Sequence, residues 1–388
     1  MNKVVVLGGG IGGVETAIAL KKEGFNVELI SDRESLFVYP ISIWIPTGEK
    51  DINEVQIPLE EIAKARGFDL TIDRVIEING KESSFTLEKE GKRTDFDYLV
   101  VALGQSKLKH KGIENTLSVC GSPEEILQIK EKIDELVKNK KGKIAFGFGG
   151  NPEAPEAVRG GPVFEVMFNV HNYLKKIGIR ENFEITFFAP MPKPGARLGE
   201  KALKMMDMMF KNMGINKITG KKIKEFTQNS VIFEDDSSIE ADLIIFTPAG
   251  DGHPVIKNSD LTKTEAGFLK IEDTCQVIGF DNIYAVGDSA SIEGPEWRAK
   301  QGHLAEVMGR VTAHNIAVKE GKKIEALKGY KEHINIMCLM DTGNGGALAY
   351  RSDSKAMLIP LPVVGHWMKK GWGIYYRLYK LGKIPRLI

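Results

Sequence analysis

Three cysteines are the residues of this 388-residue chain best suited to sulfur redox chemistry. They are Cys120, Cys275 and Cys338, and their spacing forms no CxxC or clustered Cys/His pattern that would predict a zinc site. Cys338 lies in INIMCLMDTGNGGALAY, between apolar residues and a glycine-rich turn. Such a thiol is either a packed apolar side chain or, as a thiolate, a nucleophile. Its function therefore depends on what lies beside it.

A glycine-rich turn, GGGIGG, has the spacing that holds a dinucleotide pyrophosphate. Gly8, Gly10 and Gly13 fit G-x-G-x-x-G between the strand KVVVL and the helical pattern VETAIALKK, and Ile11 and Gly12 complete the turn. The first glycine permits a sharp turn, the second admits the pyrophosphate, and the third lets the helix approach the strand. The free amides of the helix N-terminus favour an anion there.

Further segments narrow the predicted cofactor to FAD. Ser31 and Asp32 end the strand NVELIS about 20 residues after the turn, where a ribose hydroxyl is held. DYLVVALG and NIYAVGDSA resemble the two flavin-contacting strands of two-dinucleotide flavoproteins, and AKQGHLAE resembles their helix that points at the flavin pyrimidine. The additional FAD contacts implied by this resemblance are Val75, Ala102, Gly104, Gly287, Asp288, Gln301 and Gly302.

Alternating strands and helices must position these residues. The strand–turn–helix–strand at the start of the chain opens a doubly wound α/β domain, and KGKIAFGFGG begins a second one. We predict two Rossmann-like lobes. The FAD domain comprises 1–110 and 248–318, the second lobe comprises 111–247, and a C-terminal region covers 319–388.

The second lobe carries a degenerate glycine loop. GFGGNPEAPEAVRGG places Pro152 and Glu153 where a helix would start, and Glu156 adds another negative charge. Prolines change the turn, and carboxylates repel a pyrophosphate. The second lobe is therefore not expected to bind NAD(P)H.

Nearly the whole chain resembles the sulfide:quinone oxidoreductases and the flavoprotein subunit of flavocytochrome c sulfide dehydrogenase. The segments that carry the resemblance include VGDSASI, QGHLAEVMGRVTAHNIA, CLMDTGNGGALAY and VVGHWMKKGW, in that order. The resemblance implies an FAD enzyme in which sulfide attacks a redox disulfide or polysulfide beside the flavin and two electrons pass to quinone.

The resemblance also implies catalytic residues, with one departure. Cys338 matches the last cysteine of the family and Cys120 the first, while Arg159 stands where the middle cysteine is expected. Glu165 matches a candidate proton carrier, although a solvated helix glutamate is the alternative. Cys120 and Cys338 could form a bridge only with Cα atoms within ~7 Å. Cys275 is expected to be a packed apolar residue.

The tail predicts contact with a membrane surface. After Asp353 there are seven Lys/Arg and no acidic residue, interleaved with Trp and Tyr. The basic and aromatic side chains expected to meet lipid headgroups are Trp367, Lys369, Lys370, Trp372, Tyr375, Tyr376, Arg377, Tyr379, Lys380 and Lys383. A basic helix packed on the protein itself, or in a dimer interface, is the alternative.

Composition limits the remaining function classes. The formal net charge of +1 does not indicate nucleic-acid binding, and no secretory signal or membrane-spanning run is present. We therefore expect a peripheral, monotopic membrane protein held on the cytoplasmic face, with quinone and a small reduced-sulfur compound as substrates. Homo-oligomerisation stays open. The alternatives are a type II NADH:quinone reductase and a non-catalytic electron-transfer flavoprotein that docks a partner protein.

Overall fold

A computed structural model describes residues 2–387. The α-helices are α1 (Ile11–Lys22), α2 (Tyr39–Ser42), α3 (Leu59–Arg66), α4 (Pro123–Lys138), α5 (Gly161–Lys176), α6 (Glu200–Met213), α7 (Pro254–Asn258), α8 (Gly302–Lys319) and α9 (Val364–Lys380). The strands are β1 (Lys3–Leu7), β2 (Asn26–Ser31), β3 (Ser35–Phe37), β4 (Gln56–Pro58), β5 (Asp69–Ile72), β6 (Val75–Asn79), β7 (Ser84–Leu87), β8 (Gly91–Arg93), β9 (Tyr98–Val101), β10 (Gln105–Lys107), β11 (Gly142–Phe148), β12 (Phe183–Ala189), β13 (Ile215–Thr219), β14 (Ile223–Thr227), β15 (Ser230–Phe233), β16 (Ser238–Glu240), β17 (Leu243–Thr247), β18 (Gly250–Gly252), β19 (Leu269–Lys270), β20 (Ile283–Ala285), β21 (Ala290–Ser291), β22 (Ile336–Asp341), β23 (Gly345–Arg351) and β24 (Ala356–Pro362).

The first lobe is built on a parallel sheet in the order β20–β9–β1–β2–β5. Its strands are near-continuous apolar runs because helices or loops cover both faces of a parallel sheet. In β1, for example, Val4, Val5, Val6 and Leu7 are all fully buried. The carboxyl ends of these strands form the edge at which ligands bind in doubly wound sheets.

The second lobe repeats this design with a parallel sheet in the order β13–β12–β11–β17. The antiparallel pair β10–β18 joins the segments that leave the first lobe and return to it. Small antiparallel sheets, β6–β7–β8 and β14–β15–β16, accompany the two lobes. The predicted α/β fold with two Rossmann-like lobes is confirmed.

The C-terminal region consists of an antiparallel sheet, β22–β23–β24, followed by α9. α9 contacts this sheet and α2, so it lies against the protein rather than apart from it. Its exposed apolar side chains include Trp367, Met368 and Ile374. Within residues 2–387, the structure contains no helix with both the length and the apolar character needed to cross a membrane.

One part of the tail prediction is wrong. Lys369 and Lys380 are buried, as are Tyr376 and Tyr379, so these four side chains do not face lipid headgroups. Both lysines form ion pairs inside the protein, Lys380 with Glu15 of α1 at 2.6 Å and Lys369 with a carboxylate of α5. A buried cation requires such a partner to offset its loss of hydration.

Candidate active site

The glycine turn has room for a ligand at one position only. Gly8 adopts a φ of +118°, and a Cβ there would lie 2.2 Å from the Ala102 carbonyl oxygen. A Cβ on Gly13 would lie 1.9 Å from the oxygen of Gly8, so this glycine lets α1 approach β1. A Cβ on Gly10 would meet nothing within 4 Å. The open space therefore lies where a pyrophosphate is expected.

The other predicted cofactor contacts lie at the same edge of the first sheet. Ser31 ends β2 and is buried, and Asp32 follows it with an exposed side chain. Val75 begins β6, shortly after β5 ends. The Gly104 amide, just past β9, donates to the Ser289 hydroxyl at 2.8 Å and thereby joins the ends of β9 and β20.

The N-termini of α1 and α8 lie side by side. A Cβ on Gly302 would be 3.2 Å from a methyl of Ile11, and one on Gly12 would be 3.5 Å from Ala305. Gly287 has a φ of +62° and also faces Ala305. The side-chain amide of Gln301 donates to the Asn335 carbonyl at 3.0 Å, which ties the start of α8 to the segment before β22.

Cys338 lies beside a buried ion pair. Glu165 of α5 is buried and accepts hydrogen bonds from the Lys369 ammonium and from the Asp341 amide, the latter at 2.7 Å. Burial and, to a smaller extent, the nearby Glu165 carboxylate raise the pKa of the Cys338 thiol to about 12, against the effect of Lys369. Burial likewise raises the pKa of Glu165, against the effect of Lys369. Burial thus disfavours the charged form of both the thiol and the carboxyl group, and Lys369 opposes this effect on each.

A chain of hydrogen bonds leads from this centre towards the surface. Asp341 is fully buried and accepts from the Trp44 indole at 3.1 Å. It is also hydrogen-bonded to Nδ1 of His366 at 2.7 Å. Nε2 of His366 lies 2.9 Å from Glu49, whose side chain is 32% exposed. The imidazole thus connects a buried carboxylate with one that solvent reaches.

Cys120 lies in a different, cationic environment. The Arg159 guanidinium hydrogen-bonds the Cys120 thiol and also pairs with the Asp288 carboxylate. When the side-chain amide of Gln105 is oriented with its oxygen facing Arg159, this oxygen accepts hydrogen bonds from Nε and Nη2 of Arg159 at 3.0 and 3.1 Å. Burial raises the pKa of the Cys120 thiol, and Arg159 opposes this rise. Arg159 therefore connects the Cys120 thiol with Asp288, one of the predicted FAD contacts.

Comparison with known proteins identifies the family. Residues 2–321 match the pyridine nucleotide-disulphide oxidoreductases. The chain belongs to this family. It is 26% identical over 360 residues to the sulfide-quinone reductase of Aquifex aeolicus, covering 88% of this chain and 81% of that protein. It is 24% identical over 421 residues to the type II NADH:quinone oxidoreductase of Haemophilus influenzae, covering 98% and 94%.

A solved structure supports the same assignment of fold. The X-ray structure of the sulfide:quinone oxidoreductase of A. aeolicus superposes with a TM-score of 0.85 at 23% identity, covering 98% of this chain and 92% of that chain. The protein is an FAD-dependent oxidoreductase, as its sequence predicted. The open space at Gly10 and the close backbone contacts at Gly8 and Gly13 fit that cofactor.

The three cysteines of this oxidoreductase are all free thiols. The structure thus contains no Cys120–Cys338 bridge, and each thiol has its own set of neighbours. Cys275 is fully buried within the main core, and burial raises its pKa. These observations agree with the packing interpretation of Cys275.

The second glycine loop of the oxidoreductase differs in its geometry from the first. β11 ends at Phe148, and α5 begins only at Gly161, after a loop that contains Pro152 and Glu153. A Cβ on Gly147 would lie 2.5 Å from the Phe188 ring, so an aromatic side chain already occupies that side of the strand. No helix N-terminus follows directly where a second pyrophosphate would need one.

Several site residues were not singled out from the sequence. Lys300 is buried and donates to the carbonyls of Asp288 and Ala290 at 2.8 and 2.7 Å, so it fixes the loop that contains Asp288. Lys369 was assigned to the membrane surface, and His366 had no assigned role. A signal existed, because the buried positions 366, 369, 373, 376 and 380 of α9 recur at helical spacing.

Proposed function

We propose that this flavoenzyme oxidises a small reduced-sulfur compound and reduces a membrane quinone. The observation that carries the proposal is the Cys338 thiol beside the buried Glu165–Lys369 pair, on the strand that follows the FAD domain. The likeness to sulfide-quinone reductase supports it. With sulfide as donor, HS⁻ loses two electrons and one proton, and quinone takes up two electrons and two protons. One further proton must therefore come from solvent.

FAD would be held by the predicted contacts at the carboxyl edge of the first sheet. The glycine turn would receive the pyrophosphate, and Ser31 and Asp32 would receive a ribose. The remaining contacts would be Ile11, Gly12, Val75, Ala102, Gly104, Gly287, Asp288, Gln301 and Gly302. When bound, FAD supplies the two-electron transfer between donor and acceptor. The N-terminus of α8 would favour negative charge on the bound cofactor.

Cys338 and Cys120 would have different roles in the sulfur chemistry because the groups around them differ. Cys338 would act as the thiol closest to the electron-transfer step, and Glu165 would accept the proton that this thiol must release to become a thiolate. Arg159 replaces a cysteine with a fixed cation, so the Cys120 region is suited to an anionic sulfur donor rather than to a second disulfide partner. A persulfide or a carboxylate-bearing thiol fits this chemistry as well as sulfide does.

Apolar side chains around α9 support association with a membrane surface. The exposed apolar side chains of β24, of α9 and of the residues beside them, here called the apolar face, are Met357, Ile359, Val363, Val364, Trp367, Met368, Ile374 and Leu387. Exposed apolar patches of this kind mark contact with membranes or other proteins. A quinone dissolved in the bilayer would reach the enzyme from this face, which makes the protein a peripheral one.

Anaerobic stopped-flow absorbance tests the donor. The holoenzyme is mixed separately with sulfide, with a persulfide and with NADH while the absorbance of the oxidised flavin is followed. We expect bleaching by a sulfur donor, loss of that bleaching in Cys338→Ala, and retention in Cys275→Ala. Fast bleaching by NADH alone would instead support the type II NADH:quinone reductase, a candidate that the Haemophilus relative favours and the second-lobe loop disfavours.

Vesicle flotation tests the apolar face. Trp367→Ser combined with Ile374→Ser removes two large side chains, each worth about 1.5–3 kcal/mol when fully buried. We expect weaker partition onto neutral vesicles than for the wild type. Met208→Ser, an exposed apolar residue of the second lobe, is the control that should leave partition unchanged. Equal flotation of all three proteins would exclude the apolar face as the membrane contact.

A further inference from the structure

A cavity of about 460 Å³ lies between α1 and α8, apart from the flavin and thiol regions. α1 contributes Glu15 and Lys22 to its wall, and α8 contributes His303 and Arg310. The chain after α8 and the end of the tail complete it. None of the predicted cofactor or thiol residues lines this cavity, so neither the proposed reaction nor FAD accounts for it.

The wall of this cavity is rich in cations. Its lysines and arginines are Lys22, Arg310, Lys323, Lys328 and Arg386, and its carboxylates are Glu15 and Glu23. Glu15 is already held by Lys380 at 2.6 Å, in addition to Arg310 at 2.9 Å, and Glu23 is held by Lys323 at 2.6 Å. Glu325, just outside the wall, approaches Lys328 at 3.4 Å, but both side chains are more than half exposed, and such pairs are weak.

The positive charge of the wall also affects the pKa of His303, whose ring lines the cavity. Burial is the largest cause of the lowered pKa of His303. Arg310, Arg386 and His333 lower this pKa further, and Glu306 opposes them. Two guanidinium groups, those of Arg310 and Arg386, thus act on a single ring in the wall. A concentration of positive charge in a concave site favours an anionic ligand.

Exposed apolar side chains border the cavity. Ile324 is fully exposed and follows Lys323 in the chain, and Leu327 is 57% exposed and precedes Lys328. Leu387 is 73% exposed and follows Arg386. The Leu387 amide donates to the Tyr375 hydroxyl of α9 at 2.8 Å, next to an exposed isoleucine of the apolar face. The tail that contributes Arg386 to the cavity wall thus also contacts α9, the helix that carries much of the apolar face.

We propose that this cavity binds the phosphate headgroup of an anionic phospholipid. The cations would hold the phosphate ester while the apolar border contacts the acyl chains. A soluble phosphate has no acyl chains, so the apolar border favours a lipid as the ligand. This inference rests on the proposed membrane association of the flavoenzyme. It adds lipid selectivity to that association, because only a membrane with anionic lipids would fill the cavity.

Partition of the FAD-loaded protein onto vesicles tests the proposal. One vesicle is phosphatidylcholine alone, and the other contains roughly one-third phosphatidylglycerol. Lys323→Gln with Lys328→Gln removes two partly exposed cations of the wall, whereas Lys222→Gln with Lys224→Gln removes the same charge from a hairpin of the second lobe. We expect the first pair to lower partition onto phosphatidylglycerol vesicles about thirtyfold, since each lysine contributes roughly fivefold, and the control pair to have little effect.

The outcomes separate this inference from the proposed function. Partition onto phosphatidylcholine should be the same for both pairs, and Lys323→Arg with Lys328→Arg should restore binding. Equal losses in the two lysine pairs would overturn the headgroup site while leaving the apolar face intact. Stabilisation by glycerol phosphate of the wild type but not of the first pair, with no difference on vesicles, would assign the cavity to a soluble phosphate ester and also overturn the lipid proposal.

Discussion

Replacing Lys369 with methionine probes the ion pair around which the thiol centre is built. The side chains of Lys369 and Glu165 are 6% and 4% exposed. Methionine keeps much of the apolar stem but removes the charge, which leaves the Glu165 carboxylate with the amide of Asp341. Removing one partner of a buried pair costs about 3–5 kcal/mol because the other charge stays buried without compensation. We expect the free energy of unfolding to fall by about that amount at neutral pH.

The loss should depend on pH in a defined direction. Burial already raises the pKa of Glu165, and Lys369 opposes that rise, so the variant should raise this pKa further. A carboxyl group whose folded pKa exceeds its unfolded value stabilises the protein below the unfolded pKa and loses that contribution as pH rises through the folded value. The deficit of the variant should therefore be small near about pH 4 and complete at neutral pH.

Urea unfolding of the FAD-loaded protein, followed by flavin and tryptophan fluorescence, measures these differences. Lys370→Met is the matched control, since this neighbouring lysine is 25% exposed and pairs with Glu49 at the surface; we expect it to cost under about 1 kcal/mol. Glu165→Gln in the Lys369→Met background should recover most of the loss. If both methionine variants lose the same small amount at neutral pH, the pair is not buried in solution and the reasoning fails.

The remaining predictions concern the cofactor turn, the thiol and the tail. Gly10→Ala should fold but lose FAD, because its Cβ meets no protein atom within 4 Å, whereas Gly13→Ala should fail to fold because its Cβ would lie 1.9 Å from a carbonyl oxygen; flavin absorbance and circular dichroism tell the two apart. Iodoacetamide should modify Cys338 faster with each rise in pH towards its pKa of about 12, and Glu165→Gln should speed this at a given pH by removing a negative charge; an unchanged rate would mean that the carboxylate does not face the thiol. The ion pair with Lys380 lowers the pKa of Glu15 to about 2, so the wild type should lose stability as pH falls from the pKa of an unfolded glutamate towards this folded value. Lys380→Met should show a smaller loss of stability in the same titration.

The sequence predicted the parts of the site that are contiguous in the chain. The glycine turn and its flanking strand and helix fall within about 20 residues, so spacing alone indicated their geometry. Lys369 and Glu165 are 204 positions apart, and no local pattern joins them. The tail was interpreted as one lipid-facing surface because its lysines were counted without their carboxylate partners. Arg159 was recognised as a departure, but its contact with Asp288 required the fold.

The two buried lysines of α9 have a consequence for how the protein is made. Lys369 reaches a carboxylate of the second lobe and Lys380 reaches one of the FAD domain, so a single helix neutralises a buried charge in each. During synthesis the lobes emerge first, and domains fold in that order. Until α9 leaves the ribosome, Glu165 lacks Lys369, and Glu15 has Arg310 but lacks Lys380. Docking of α9, rather than folding of either lobe, is therefore the step that sets the final stability of the newly made protein.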